Sequence, residues 1–238
     1  MNLPQYSFEE KTAYLIGAGS GDIRHLTIEA HSILSQADLI LYDMYLEALN
    51  PYYPQAVWES VGKKKGFHVK KQSEINELLL AEVKTGKKVV RLKAGDVSFF
   101  ARSSEEIQIL KENGFACKLI MGISSPQLLS QALGESLTHR ELTRSISYSS
   151  GYWDKTIQKV NLPDTDAHVI FMGLGELEKT VSNLLQSGKS EETSFIAASN
   201  LGRQNQKIVK ATLGSAVQAV KDANLQSPTL IAIGLNHI

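Results

Sequence analysis

Three glycines at alternate positions, Gly17, Gly19 and Gly21, follow the apolar run that ends at Ile16. Glycines so spaced after a strand let backbone amides approach a ligand closely, as in loops that hold a dinucleotide pyrophosphate. Asp43 ends the next apolar run, about where such a site keeps its ribose-binding acid. The pattern then breaks. The fingerprint needs glycine where helix and strand pack, and position 22 is Asp22. The first helix signal, Thr27, also lies beyond the loop. Three alternate glycines still exceed what a turn requires, which favours backbone approaching some ligand. The six histidines are scattered, His139 has no partner at metal-ligand spacing, and no metal site is expected. Cys117 opens a strand and reads as a small buried hydrophobe rather than a nucleophile.

The elements that must position these residues are legible as alternating strands and helices. Strands are expected at Thr12–Gly17, Asp38–Tyr42, Val57–Val61, Lys88–Leu92 and Lys118–Ile120. A helix capped by Thr27 places Ile28, Ile33 and Leu34 on one face. Ser73 opens a second helix with Glu74 and Glu77 in its first turn and Gly86 beyond its end; Ser103 or Ser104 opens a third that stops at Gly114. Strand–helix repetition predicts a mostly parallel sheet covered on both faces. The second half is less regular. Ser145–Ser149, Ala167–Met172 and Thr229–Gly234 read as strands, Leu177–Gln186 and Gly214–Ala223 as helices. Thr193–Ala198 and Gln206–Thr212 read as a hairpin. The fold class expected is therefore α/β in two domains, with a mostly parallel N-terminal sheet and a mixed C-terminal sheet. A polar tail (1–11) precedes an N-terminal domain (12–123) and a C-terminal domain (124–238), with the active site in the cleft between them.

The chain has 238 residues, and 25 cationic against 25 acidic side chains leave no formal net charge. That argues against a surface built wholly for nucleic acid. A single cysteine excludes an intramolecular disulfide and fits a reducing compartment. No apolar run is long enough to span a membrane, and the polar start with Glu9 and Glu10 is not a signal peptide. A cytoplasmic location without membrane or nucleic-acid partners is expected.

Seven motifs in order bring a family into view. Tyr14–Asp22 (YLIGAGSGD), Leu26-Thr27 and Ala37–Asp43 (ADLILYD) resemble the opening of the tetrapyrrole (corrin/porphyrin) methylases. Val61–His68 (VGKKKGFH) with Gln72, Glu74, Ile75 and Asn76 resembles one branch, the uroporphyrinogen-III C-methyltransferases. Val89–Asp96 (VVRLKAGD), followed by Phe100, Arg102 and Glu105-Glu106, resembles the family's glycine-glycine-aspartate loop, with Ala94 in the first glycine position. Gly122–Ser125, Leu137–Arg140, Phe171–Gly173 and Pro228–Ile231 match later landmarks, so the resemblance runs from about Thr12 to Gly234.

The resemblance implies a tetrapyrrole-methylase-like fold, a homodimer, and S-adenosyl-L-methionine as cofactor, leaving S-adenosyl-L-homocysteine as product. It implies transfer of two methyl groups to ring carbons of uroporphyrinogen III, giving precorrin-2 on the way to sirohaem and cobalamin. It assigns Asp43 and Lys63 to an acid–base pair. It assigns Ser20, Ala94, Gly95, Asp96, Phe99, Ser124, Ser125, Met172 and Leu201 to the cofactor. A substrate with eight carboxylates needs local positive charge, for which Arg24, Lys64, His68, Arg102 and Arg140 stand at or near matched loops, with Lys65 and Lys93. Each has an ordinary alternative: Asp96 as a loop cap, Met172 as core, Lys63 as a solvated charge. Where relatives carry glycine or proline, Val97–Ser104 carries Val97, Ala101, Ser103 and Ser104, so this loop is expected to use ordinary negative φ angles. Two other classes remain open: a divergent binder of the cofactor or a tetrapyrrole with little activity, and a ribosomal-RNA 2′-O-methyltransferase of the same fold.

Overall fold

All six residues of β1 (Thr12–Gly17) are buried, which fits a strand inside a parallel sheet with both faces covered. The computed structural model describes residues 4, 6–62, 70–151 and 162–236. They form two compact units, one ending at Ser125 and one beginning at Pro126. In the first, β1 joins β2 (Leu39–Tyr42), β3 (Val57–Ser60), β4 (Val89–Lys93) and β5 (Ala116–Ile120). All pairings are parallel, in the order β3-β2-β4-β1-β5.

The helices start and stop where side chains can satisfy their ends. The Thr27 hydroxyl accepts from the Ala30 amide at 3.1 Å and caps α1 (Ile28–Leu34). Ala30, Ile33 and Leu34 are buried, but Ile28, expected on the same face, is exposed. Five residues at about 100° each set Ile28 roughly 140° around the helix from Ile33. The second helix, α2 (Gln72–Lys84), begins one residue before Ser73, because the Lys71 amide donates to the Glu74 carboxylate. Its Ile75, Leu79 and Val83 recur every four residues and are buried. Gly86 and Gly114, at φ 84° and 78°, follow the ends of α2 and of α3 (Ser103–Glu112).

Strand alternation divides the apolar residues between two cores. Tyr14, Ile16, Ile40, Val90 and Leu92 pack with Ile33 and Leu34. Ala13, Leu39, Leu41 and Val89 pack with Leu79, Val83 and, from α3, Leu110. Full burial of one such leucine contributes about 1.5–3 kcal/mol. Along β4 the same alternation sends Arg91 and Lys93 to the face of Val89, towards α2 and α3.

The second unit holds β6 (Ile146–Ser150), β7 (Ala167–Phe171), β8 (Ser194–Ser199), β9 (Lys207–Thr212) and β10 (Thr229–Ile233) in the order β6-β7-β10-β8-β9. Only β6 and β7 pair parallel, so the sheet is mixed; β8 and β9 form the expected antiparallel hairpin. Helices α5 (Leu177–Gln186) and α6 (Ala216–Asp222) bring Val181, Leu184, Ala216 and Val220 into one cluster with Ile170, Phe195, Ala197 and Ile231. A further helix, α4 (Ser125–Leu133), is additional to the expected elements and buries Pro126, Leu128 and Leu129. Among the described residues no helix is long and apolar enough to cross a membrane.

Candidate active site

Because β1 to β5 are parallel, their carboxyl ends share one edge, and the loops after β1, β4 and β5 are tied together there. The Ala18 amide donates to the Lys93 carbonyl at 2.8 Å. Gly19 and Gly95 exchange two backbone hydrogen bonds, 3.0 and 2.7 Å long. The Gly122 amide donates to Asp96 Oδ2 at 2.9 Å.

This lacing explains the alternate glycines, and not as expected. A Cβ on Gly17 would lie 2.7 Å from the Gly122 nitrogen and 2.8 Å from the Gly95 oxygen. On Gly19 it would meet His25 Cβ at 2.6 Å, and on Gly21 the Tyr45 oxygen at 2.6 Å. The three glycines therefore serve close packing within the protein rather than approach to a ligand. Gly95 is different. Its φ is +74°, yet a Cβ there meets nothing within 4 Å. The residue is glycine for its left-handed backbone, and the space beside it is open to a ligand. Two substitutions should separate these cases in urea unfolding. Gly122→Ala, whose Cβ would press on backbone atoms of Gly17 at 2.6 Å, is expected near the top of the overpacking range, about 3 kcal/mol. Gly95→Ala should lose only left-handed strain, about 1–2 kcal/mol.

The rest of the β4 loop also departs from expectation. Phe100 and Arg102 have φ of 51° and 54°, so the loop does not keep to negative angles. Ala94, Ala101, Ser103 and Ser104 are not among the positive-φ residues, so those side chains bring no left-handed strain. Asp96 is the clasp of the loop. Its Oδ1 accepts from the Ser98 amide at 2.8 Å and from the Ser98 hydroxyl. Burial pushes its pKa up, but these bonds and those from the Gly122 and Val97 amides more than offset that, leaving it below the ordinary value. Ser20 is buried, with its hydroxyl 2.7 Å from His25 Nδ1. Ser124 is buried and Ser125 opens α4. Phe99, Phe100, Tyr45 and Met121 are exposed large apolar side chains, all in loops at the carboxyl edge.

Asp43 follows β2 at that edge and ends a buried ion-pair chain. Arg91 Nη2 donates to Asp43 Oδ1, and Arg91 Nε donates to Glu106 Oε1 at 2.9 Å. Lys93 Nζ lies 2.7 Å from Glu106 Oε2. Gln72 Nε2 adds a hydrogen bond to Glu106 Oε1 at 3.2 Å. The side chains of Arg91, Lys93 and Glu106 are 3%, 2% and 0% exposed, whereas that of Asp43 is 34% exposed. Burial, the largest single influence, disfavours the Arg91 charge, but the Asp43 and Glu106 carboxylates outweigh it and raise its pKa. Burial, and then the Arg91 charge, pushes the Lys93 pKa down. Lys93, expected to face substrate, is therefore committed to Glu106. Sequence reasoning missed Arg91 and Glu106 as parts of the site. The available signal was two cations on one face of an otherwise apolar buried strand, which need a carboxylate nearby.

The expected cations are placed as follows. Arg24 is exposed and forks onto Asp22, with contacts of 2.6–3.1 Å. Arg24 pulls the Asp22 carboxyl down to about 2. Arg102 is exposed and pairs with Glu105 at 2.7 and 2.8 Å. Arg140 is exposed. Lys63, Lys64, Lys65 and His68 lie outside the described residues. In the second unit, Met172 is exposed at φ 56° and Leu201 is buried. Cys117 is half-buried, and burial pushes its thiol up to about 12, away from nucleophilic use.

A parallel α/β sheet with an ion-paired carboxylate and an open glycine at its carboxyl edge is the architecture of a small-molecule enzyme. The family model of the tetrapyrrole (corrin/porphyrin) methylases matches residues 12–217, and the chain belongs to that family. It is 38% identical over 227 residues to a uroporphyrinogen-III C-methyltransferase of Methanocaldococcus jannaschii, covering 92% of this chain and 94% of that one. It is 34% identical to a siroheme synthase of Psychrobacter arcticus, covering 93% of this chain but 41% of that longer protein. Among solved structures it resembles a uroporphyrin-III C-methyltransferase from Thermus thermophilus complexed with S-adenyl homocysteine. That likeness has TM-score 0.75 and 28% identity, over 95% of this chain and 99% of that one.

Proposed function

We propose that the chain is an S-adenosyl-L-methionine-dependent C-methyltransferase that converts uroporphyrinogen III to precorrin-2, the branch-point towards sirohaem and cobalamin. The observation that carries this reading is Asp43. A relative matched over nearly its full length is a uroporphyrinogen-III C-methyltransferase, and Asp43 follows β2 beside the loop of β4, whose Gly95 leaves room for a ligand. That open sector, with the exposed Phe99, fits a cofactor with both polar and apolar parts.

When bound, the cofactor supplies an electrophilic methyl group on a sulfonium. Ala94, Gly95 and Asp96 hold it, with Ser20, Phe99, Ser124 and Ser125; the family resemblance assigns Met172 and Leu201 to it as well. Asp96 acts through the loop it clasps. Methylation of a pyrrole carbon creates a cation that must lose a proton, and Asp43 accepts it, as a carboxylate at the site edge can. Lys63 delivers or orients a proton. Arg24, Lys64, His68, Arg102 and Arg140 receive the substrate carboxylates. The pairs Arg24–Asp22 and Arg102–Glu105 are exposed, and such pairs are worth about 0–1 kcal/mol, so an incoming carboxylate can displace them. The enzyme works as a cytoplasmic homodimer.

The test is incubation with uroporphyrinogen III and S-adenosyl-L-methionine, followed by mass analysis. One or two added methyl groups are expected. Binding of S-adenosyl-L-homocysteine in calorimetry without turnover would instead make the chain a divergent binder.

A further inference from the structure

We propose that Arg91 is a positioning residue for Asp43: a buried guanidinium, balanced from behind by Glu106 and Lys93, that holds the base's carboxylate in one orientation. This inference rests on the reading of Asp43 as the base. Every donor nitrogen of Arg91 is engaged. Nε donates to Glu106 Oε1, Nη2 to Asp43 Oδ1, and Nη1 to the Leu41 and Leu92 carbonyls at 3.3 and 3.0 Å. Leu41 is the last buried residue of β2, the strand that runs into Asp43, so one planar fork binds both the base and the backbone two residues before it. A guanidinium suits this because its donors are fixed in a plane, whereas an ammonium is a single point. Among the described residues, Arg91 alone hydrogen-bonds the Asp43 side chain. One carboxylate oxygen is thereby anchored, and Oδ2 remains for a proton.

Among the described residues, the charged groups packed around Asp43 on this sheet face are Arg91 and Lys93 from β4 and Glu106 from α3. From α2, Gln72 and Asn76 are polar and uncharged. Glu59 on β3 is 2.6 Å from Lys70, and Cys117 on β5 carries no charge at neutral pH. Arg91 is thus shared between two carboxylates. Loss of the fork leaves the Asp43 carboxylate free to rotate, whereas loss of the Glu106 charge leaves the bond from Arg91 Nη2 to Asp43 in place. A network that served only folding would lower stability without lowering kcat of the folded variant.

The experiment compares single-turnover kcat for the parent, Arg91→Gln, Arg91→Lys and Glu106→Gln, with S-adenosyl-L-homocysteine affinity measured alongside. Arg91→Gln should lower kcat at least tenfold. Arg91→Lys should not restore it, because the charge returns but the planar fork does not. Glu106→Gln keeps the shape and an acceptor for Arg91 Nε, and should lose less than Arg91→Gln. Cofactor-product affinity should stay within about threefold in all three, so the loss falls on kcat rather than on binding. Should Arg91→Gln fail to fold, Arg91→Lys, which keeps the buried charge, still decides. Retained activity in Asp43→Asn overturns the base reading and this inference with it. An inactive Asp43→Asn beside an Arg91→Lys variant with the parent's kcat overturns the inference alone.

Discussion

Asp43→Asn is expected to lower turnover by about 10²–10⁴-fold, the range over which a positioned general base acts, while cofactor affinity stays within about threefold. Asparagine has nearly the volume of aspartate, and its carbonyl oxygen can still accept from Arg91 Nη2, as Asp43 Oδ1 does. The backbone bond from the Asp43 amide to the Leu92 carbonyl, 3.1 Å, does not depend on the side chain. Fold and loop geometry should therefore survive. What is lost is the ability to take the proton that the cationic, methylated ring must release elsewhere to become neutral again. Single-turnover kinetics with saturating cofactor would isolate that loss, and calorimetry with S-adenosyl-L-homocysteine would show whether binding is intact. A rate within about threefold of the parent with unchanged binding would show that Asp43 is only a polar strand end.

The largest effect on stability should come from Glu106→Ala. Glu106 is fully buried and is ion-paired to Arg91 at 2.9 Å and Lys93 at 2.7 Å. Without it, two buried cations share the one partly exposed carboxylate of Asp43. Removing one partner from a buried ionic cluster typically costs about 3–5 kcal/mol. The loss should depend on pH, with a definite sign. Burial and Arg91 already depress the Lys93 pKa while Glu106 opposes them, so the depression deepens in the variant. At a pH between the folded and unfolded values, the unfolded chain then binds more protons than the folded one. Stability therefore rises with pH until it passes the unfolded lysine value of about 10.4. Urea unfolding of parent and variant between pH 7 and 10 should show the deficit shrinking as pH rises. A deficit that stays constant or grows would mean that Lys93 remains charged in the variant.

Much of the architecture was determined by the sequence, because it rests on local rules. Alternating strands and helices, the Thr27 cap and the glycines beyond α2 and α3 each follow from a few neighbouring residues, and they imply a parallel first sheet. The β8–β9 hairpin was legible for the same reason. The order of short motifs from Tyr14 to Ile231 pointed to the family. Local rules misled where a neighbour's effect is ambiguous. The segment after Gly122-Ile-Ser-Ser125 carries no expected element, yet proline is well suited to the first turn of a helix, and Pro126 is the second residue of α4. What only the tertiary structure decided is which distant groups meet. Gly17, Gly19 and Gly21 look like a ligand loop in isolation; Gly122, His25 and Tyr45, brought against them by the fold, show that they are packed. Gly95 carries the open space instead, a property of its surroundings that no spacing encodes. Arg91 lies 48 residues from Asp43 and 15 from Glu106. Strand alternation gives the face to which each side chain points, but the register of β2 on β4 and the packing of α3 over them set the distances. Contacts at those distances fix the orientation of Asp43, so the chemistry of the site belongs to the folded chain.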